Sequence, residues 1–151
     1  MEEHLGRDAS PKPVYLAALG PSMERRSTMR LWIVLGAVSA FASVAAGAFG
    51  AHALKARLPA DLLTIFETGA RYHMYHSLGL IAIGLVAQSR PSVLLSASGW
   101  AMLAGIVLFS GSLYALALSG VRVLGAITPI GGVGFLTGWA LLAAAVWRSG
   151  S

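Results

Sequence analysis

From position 31 onward apolar residues dominate the chain, and a few polar breaks divide it into four runs. Residues 31–54 form the first run and carry no Asp, Glu, Lys or Arg. A bilayer core takes about 20 apolar residues at helical rise, so this run predicts a spanning helix. Residues 55–70 are the longest connection. There Leu62, Leu63, Ile65 and Phe66 interleave with Asp61, Thr64 and Glu67, the pattern of an amphipathic helix at the membrane interface with Pro59 near its start. This helix is expected to continue into a second span over residues 71–88. Gln-Ser-Arg-Pro-Ser at 88–92 signals a tight turn. Residues 93–119 make the third span, with Trp100 and Tyr114 as interfacial anchors. Ser-Gly-Val-Arg at 119–122 is the next connection and residues 123–147 the fourth span. Within that span Thr128-Pro129 offers a cap followed by proline at the first helical position. The helix proper is therefore expected to start there, with residues 123–127 as a bent entry. The predicted fold class is an all-α integral membrane protein, four transmembrane helices in an up-down bundle.

Residues 1–28 differ in kind. They mix eight charged residues with Pro11, Pro13, Gly20 and Pro21, a composition that buries too little apolar surface to offset chain entropy. They are expected to form a disordered N-terminal extension, with residues 29–151 as the transmembrane domain. A chain starting at Met29 is accordingly expected to reach the membrane as the full chain does.

Small residues recur along the first run at Gly36, Ala40, Ser43, Gly47 and Gly50, and along the fourth at Gly131, Gly134 and Gly138. Spacings of three and four put each set on one helix face, where small side chains let a neighbouring backbone approach. Gly36, Gly47, Gly50, Gly131, Gly134 and Gly138 are the predicted helix-packing positions.

Composition supports the membrane reading. The chain is 56% hydrophobic and 11% charged, against about 25% charged in soluble domains. Its net charge of +5 comes from basic residues that flank the apolar runs. That arrangement suits topology control and anionic headgroups, not nucleic acid. The expected partners are the lipid bilayer and either a homo-oligomer or a membrane protein partner. Arg25, Arg26, Arg30, Arg90 and Arg148 outnumber Lys55, Arg57, Arg71 and Arg122 on the opposite side, which places both termini in the cytoplasm of an inner (plasma) membrane. With no cysteine, disulfides, thiolate metal sites and cysteine nucleophiles are excluded.

Several motifs carry a resemblance. Gly-Ala-Phe-Gly-Ala-His stands at 47–52, Thr68-Gly69 precedes Tyr72 and His76, and Phe-Ser-Gly-Ser-Leu-Tyr stands at 109–114. Thr128-Pro129 precedes Gly131-Gly132, and Gly138-Trp139 follows. In this order and spacing the chain resembles the YgdD/YwdK-type family of small bacterial membrane proteins, a domain of unknown function (number 423) with eukaryotic relatives. The resemblance covers residues 29–147 and implies a four-helix integral membrane protein. It implies no activity. His73 lies outside the family pattern and receives little functional weight.

The candidate chemistry is sparse. His73 and His76 share a helix face and, with His52, offer nitrogens to a metal or haem. No carboxylate or thiolate joins them at ligand spacing, so polar anchoring is the preferred reading, and no metal or cofactor is expected. Ser110, Ser112 and Thr128 lie deeper, where hydroxyls usually bond a helix carbonyl or a neighbouring helix. Ser110 lacks the strand-to-helix elbow of a serine nucleophile. No predicted span carries Asp or Glu, which counts against a proton-coupled exporter. The expected protein is therefore non-enzymatic, with no catalytic residue, and acts through helix packing, lipid or partner binding. The alternative is an oligomeric small-solute channel or transporter. Up-down connectivity brings His52, Tyr72, His76, Ser110, Ser112 and Thr128 to the half of the bundle opposite the termini. They are expected to form one hydrogen-bonded cluster there, the candidate ligand site.

Overall fold

The computed structural model describes residues 14–148, with side chains from residue 26 onward. Every regular element among the described residues is a helix. Helix α1 (Val14–Phe49) ends in a π turn (Gly50–Leu54), and α2 (Ala60–Ser89) follows after a short connection. Helix α3 (Val93–Gly105), a second π turn (Ile106–Ser110) and α4 (Gly111–Ser119) form one rod. A 3₁₀ segment (Arg122–Ala126) leads into α5 (Thr128–Arg148).

Local sequence accounts for most boundaries. Pro59 caps α2 with an extended ψ of 149°, and the interfacial helix and second run are one continuous element. Ser92 caps α3 by accepting the Leu95 amide at 3.2 Å. Gly120 closes α4 in the left-handed region, φ 72°, where a side chain would be strained. α5 starts at Thr128 with residues 122–126 as its wound entry. α1 begins at Val14, so the helix reaches back into the segment expected to be disordered. Residues 1–13 of that segment lie outside the described residues.

Helix α1 lies along α2, and α3 along α5, while α2 also contacts α3, the second π turn and α4. α2 is thus the central element. Its buried residues, among them Phe66, Ala70, Ser77, Leu80, Ile83 and Ala87, repeat every three or four positions. The larger core gathers Trp32, Leu80, Ile83, Leu95, Met102 and Phe135, and a smaller one gathers Leu54, Phe66 and Ala117. Among the described residues three helices are long and apolar enough to cross a membrane by length and composition: Arg26–Leu54, Val93–Ser119 and Arg122–Arg148. α2 is not among them, because Arg71, His73, His76 and Ser77 lower its hydropathy. At 30 residues it is nevertheless about 45 Å long.

The two tight helix pairs meet at glycine. A Cβ on Gly36 would lie 2.8 Å from the Ser77 carbonyl oxygen, and one on Gly134 3.1 Å from that of Ala101. At Gly138 it would lie 2.5 Å from Met102 Cγ, and at Gly50 3.0 Å from the Phe66 ring. At Gly131 it would collide with the backbone of Phe109. Gly47 is a correction: a Cβ there meets nothing within 4 Å. The α1 stripe facing α2 runs through Gly36, Ser39, Ser43, Ala46 and Gly50, close to a seven-residue repeat. At about 100° per residue, Gly47 is turned roughly 60° off its centre.

Arg122, the first residue of the last span, donates to Asp61, which lies outside the spans, at 2.9 Å and ties the start of α2 to the entry of α5. The guanidinium holds the Asp61 carboxyl below its ordinary value of 3.8. Whatever this contact contributes is therefore present above that value and lost as pH falls through the depressed one. Both partners are exposed, so water and salt screen the pair. Arg122→Ala is expected to leave the melting temperature at pH 7 unchanged within error; a drop of several degrees would overturn this.

Candidate functional site

Both π turns fall on the motifs singled out in the sequence. In the first, the Lys55 amide reaches back five residues to the Gly50 carbonyl at 3.1 Å. In the second, the Gly111 amide reaches Ile106. Such a turn inserts one residue and re-aims the side chains around it. Gly50 and Leu54 are the buried residues of the first turn. His52 stands two positions from each, so it points to the opposite side and is exposed. It makes no hydrogen bond among the described residues and does not join the expected cluster.

The remaining members come near one another without forming one hydrogen-bonded cluster. Ser112 and Thr128 pair at 2.9 Å, and Ser112 also donates to the Phe109 carbonyl at 3.0 Å. His76 donates from Nδ1 to the Tyr72 carbonyl at 2.8 Å, a bond within its own helix. Ser110 is 1% exposed and its hydroxyl has no partner. The contacts of Tyr72 and His76 across the bundle are aromatic instead. The His76 ring lies flat on Phe135, centroids 3.3 Å apart and planes within 7°. Tyr72 packs on Phe109 at 4.9 Å, and Trp139 flanks His76 at 6.2 Å. These rings line an outward-opening groove of about 370 Å³ between α2 and α5. Bulky side chains at 109 and 135, facing Gly131 and Gly105, explain the change. Once the helices close on those glycines, rings fill the space that water would need to join the hydroxyls.

The hydrogen-bonded cluster is elsewhere, centred on His73. Ser77 donates to Ser39 Oγ at 2.7 Å and has the His73 carbonyl at 2.8 Å as a second acceptor. Ser39 Oγ lies 2.9 Å from His73 Nε2, and His73 Nδ1 lies 3.2 Å from the Tyr114 hydroxyl. If Ser77 donates to Ser39, Ser39 keeps its own hydrogen for Nε2, and a neutral imidazole then donates from Nδ1 to Tyr114. The chain of bonds ties α1, α2 and α4 together. Nearby Ser43 donates to the Ala70 carbonyl at 2.8 Å. A sequence signal existed. Ser39 lies 15 residues before the end of the first π turn and His73 13 residues after the start of α2, so an antiparallel pair sets them level. Among the described residues no three of His, Cys, Asp and Glu gather as a metal site would require.

Long apolar helices packed through glycine, with polar side chains tied to neighbouring helices, define a helical membrane protein. A family model described as protein of unknown function (DUF423) matches residues 46–132. The UPF0382 membrane protein YwdK of Bacillus subtilis is 46% identical over 118 residues, covering 78% of this chain and 96% of its own. UPF0382 membrane protein SSP2132 of Staphylococcus saprophyticus is 50% identical over 114 residues, 76% of this chain and 94% of its own. For SERP0230 of Staphylococcus epidermidis the figures are 50% over 120 residues, 80% and 98%. No solved structure matches. The chain belongs to the DUF423 family of membrane proteins.

Proposed function

We propose that this is a non-enzymatic four-span protein of the inner (plasma) membrane, both termini cytoplasmic, that acts by binding lipid or a membrane protein partner and not by conduction. The supporting observation is how its interior polar groups are used. Ser39, Ser77, His73 and Tyr114 bond one another across three helices, and Ser43 and Ser98 bond carbonyls of neighbouring helices. Groups engaged this way lock a bundle and are not free to hydrate a passing solute. α2 is the least apolar of the proposed spans, and its central place gives its polar residues neighbours other than lipid.

The span count is tested by single-cysteine labelling, for which the cysteine-free chain is suited. Lys55→Cys and Ser89→Cys, both at exposed positions, should react with a membrane-impermeant maleimide from opposite sides in oriented vesicles. Labelling from one side would mean that α2 does not cross. Conduction is tested separately: proteoliposomes should pass potassium and glycerol no faster than empty liposomes. Flux clearly above that background would favour the oligomeric channel or transporter.

A further inference from the structure

We propose that the groove between α2 and α5 binds a lipid-tailed hydroquinone, with one phenolic hydroxyl on Nε2 of His76 and the ring against the aromatic wall. The inference rests on the four-span reading, which places the groove in the bilayer.

Tautomer geometry is the first argument. His76 is 5% exposed, and its Nδ1 donates to a carbonyl, which can only accept. The proton of the neutral ring is therefore on Nδ1, and Nε2 carries a bare lone pair. Nε2 makes no hydrogen bond. Among the described residues the side-chain polar atoms sealed from the surface without a partner are Trp32 Nε1 and Ser110 Oγ, so Nε2 is not sealed. The opening available to it is the groove that His76 lines. An acceptor facing an apolar groove calls for a donor on the occupant, because in hydrocarbon no water replaces it.

Depth restricts that donor. Phe135, on which the imidazole lies, is seven residues into α5, about 10 Å along the axis from Thr128. Ammonium and guanidinium groups are costly to desolvate there, which leaves an uncharged O–H or N–H. The wall favours a flat head. The planes of Tyr72, His76 and Phe135 lie within 20° of one another, an orientation that an offset-stacked ring shares. A volume of about 370 Å³ holds one such ring and the start of a tail. The tail continues along Val133 and Leu136, which are 62% and 72% exposed towards the surrounding lipid. A hydroquinone joins a phenolic donor, a flat ring and an apolar tail in one molecule.

The test uses the full chain in nanodiscs with nitrogen-15-labelled histidine. Decylhydroquinone, kept reduced, is titrated against its dimethyl ether, which has the same ring and tail but no donor, and against dioleoylglycerol, which has an aliphatic hydroxyl. The expected result is a saturable shift of the His76 Nε2 resonance by decylhydroquinone. The dimethyl ether should bind about tenfold more weakly, the value of one hydrogen bond to a desolvated acceptor. Leu136→Trp, at the exposed lip, should block the groove and abolish the shift without disturbing packing. His76→Phe should reduce affinity for decylhydroquinone to that of the ether; the comparison of ligands on the unaltered chain stands even if this variant fails to fold. Equal binding of hydroquinone and ether overturns the role of His76, and dioleoylglycerol binding as tightly overturns the flat head. If no ligand binds but cysteine labelling places α2 across the membrane, the inference fails and the four-span reading stands. One-sided labelling removes both.

Discussion

Gly131→Leu should prevent the bundle from assembling, the largest effect expected of any single substitution. A side chain at this position runs into the backbone amide and Cα of Phe109, in the π turn between α3 and α4. Overpacking against movable side chains costs about 1–3 kcal/mol. Here the obstacle is main chain within a helical rod, which cannot rotate aside, so the cost should exceed that range. Separating α5 from the rod would also take Phe135 off Gly105 and His76 and open the aromatic groove. The expected readout is loss of the folded, monodisperse species in detergent. Gly47→Leu is the matched control and should purify with unchanged thermal stability, because nothing lies within 4 Å of its Cβ. If the two variants behave alike, the close approach of α5 to the rod is wrong.

His73→Phe should be the next most damaging change, although it keeps an aromatic ring at this position. The substitution leaves Ser39 Oγ and the Tyr114 hydroxyl without the nitrogens they bond at 2.9 and 3.2 Å. Leaving a fully buried polar group unpaired costs about 1–3 kcal/mol, an upper bound here because both hydroxyls are half-buried and Ser39 keeps the bond from Ser77. Interhelical hydrogen bonds in membranes average nearer 0.6 kcal/mol, because the separated helices find other partners. Two bonds across three helices should together be worth about 1–3 kcal/mol on these figures. A double-mutant cycle with Ser39→Ala reads the interaction directly. Additivity within about 0.5 kcal/mol would show that the two residues do not depend on each other. His52→Ala should stay within about 0.5 kcal/mol of the parent, as an exposed side chain without a hydrogen bond.

Much of the architecture was legible because hydropathy and backbone chemistry are local. A helix start at Thr128-Pro129, a turn at 88–92 and an interfacial helix running into the second run all follow from caps, proline and the spacing of apolar residues. Family membership was legible for the same reason, since motif order and spacing survive in the linear chain. The candidate site was legible only in outline. Depth counted along helices brought Tyr72, His76, Ser112 and Thr128 to the same end of the bundle, but not to the same hydrogen bonds.

The sequence by itself determined the apolar helical runs, the small residues spaced along them and the absence of acidic groups from every apolar run. Tertiary structure alone decided what those faces meet. Which side of α1 turns to α2 depends on a close to seven-residue contact repeat, and that repeat retains Gly50 while turning Gly47 away. The π turn at Gly50–Leu54 sends His52 outward, a register shift that no local pattern announces. His73, of little apparent weight in the chain, acquires Ser39 and Tyr114 because two separate helices carry them to its two ring nitrogens. A hydrogen bond between side chains 34 or 41 positions apart has no periodicity along the sequence, and only the closing of the bundle selects which polar groups are paired and which are left facing a groove.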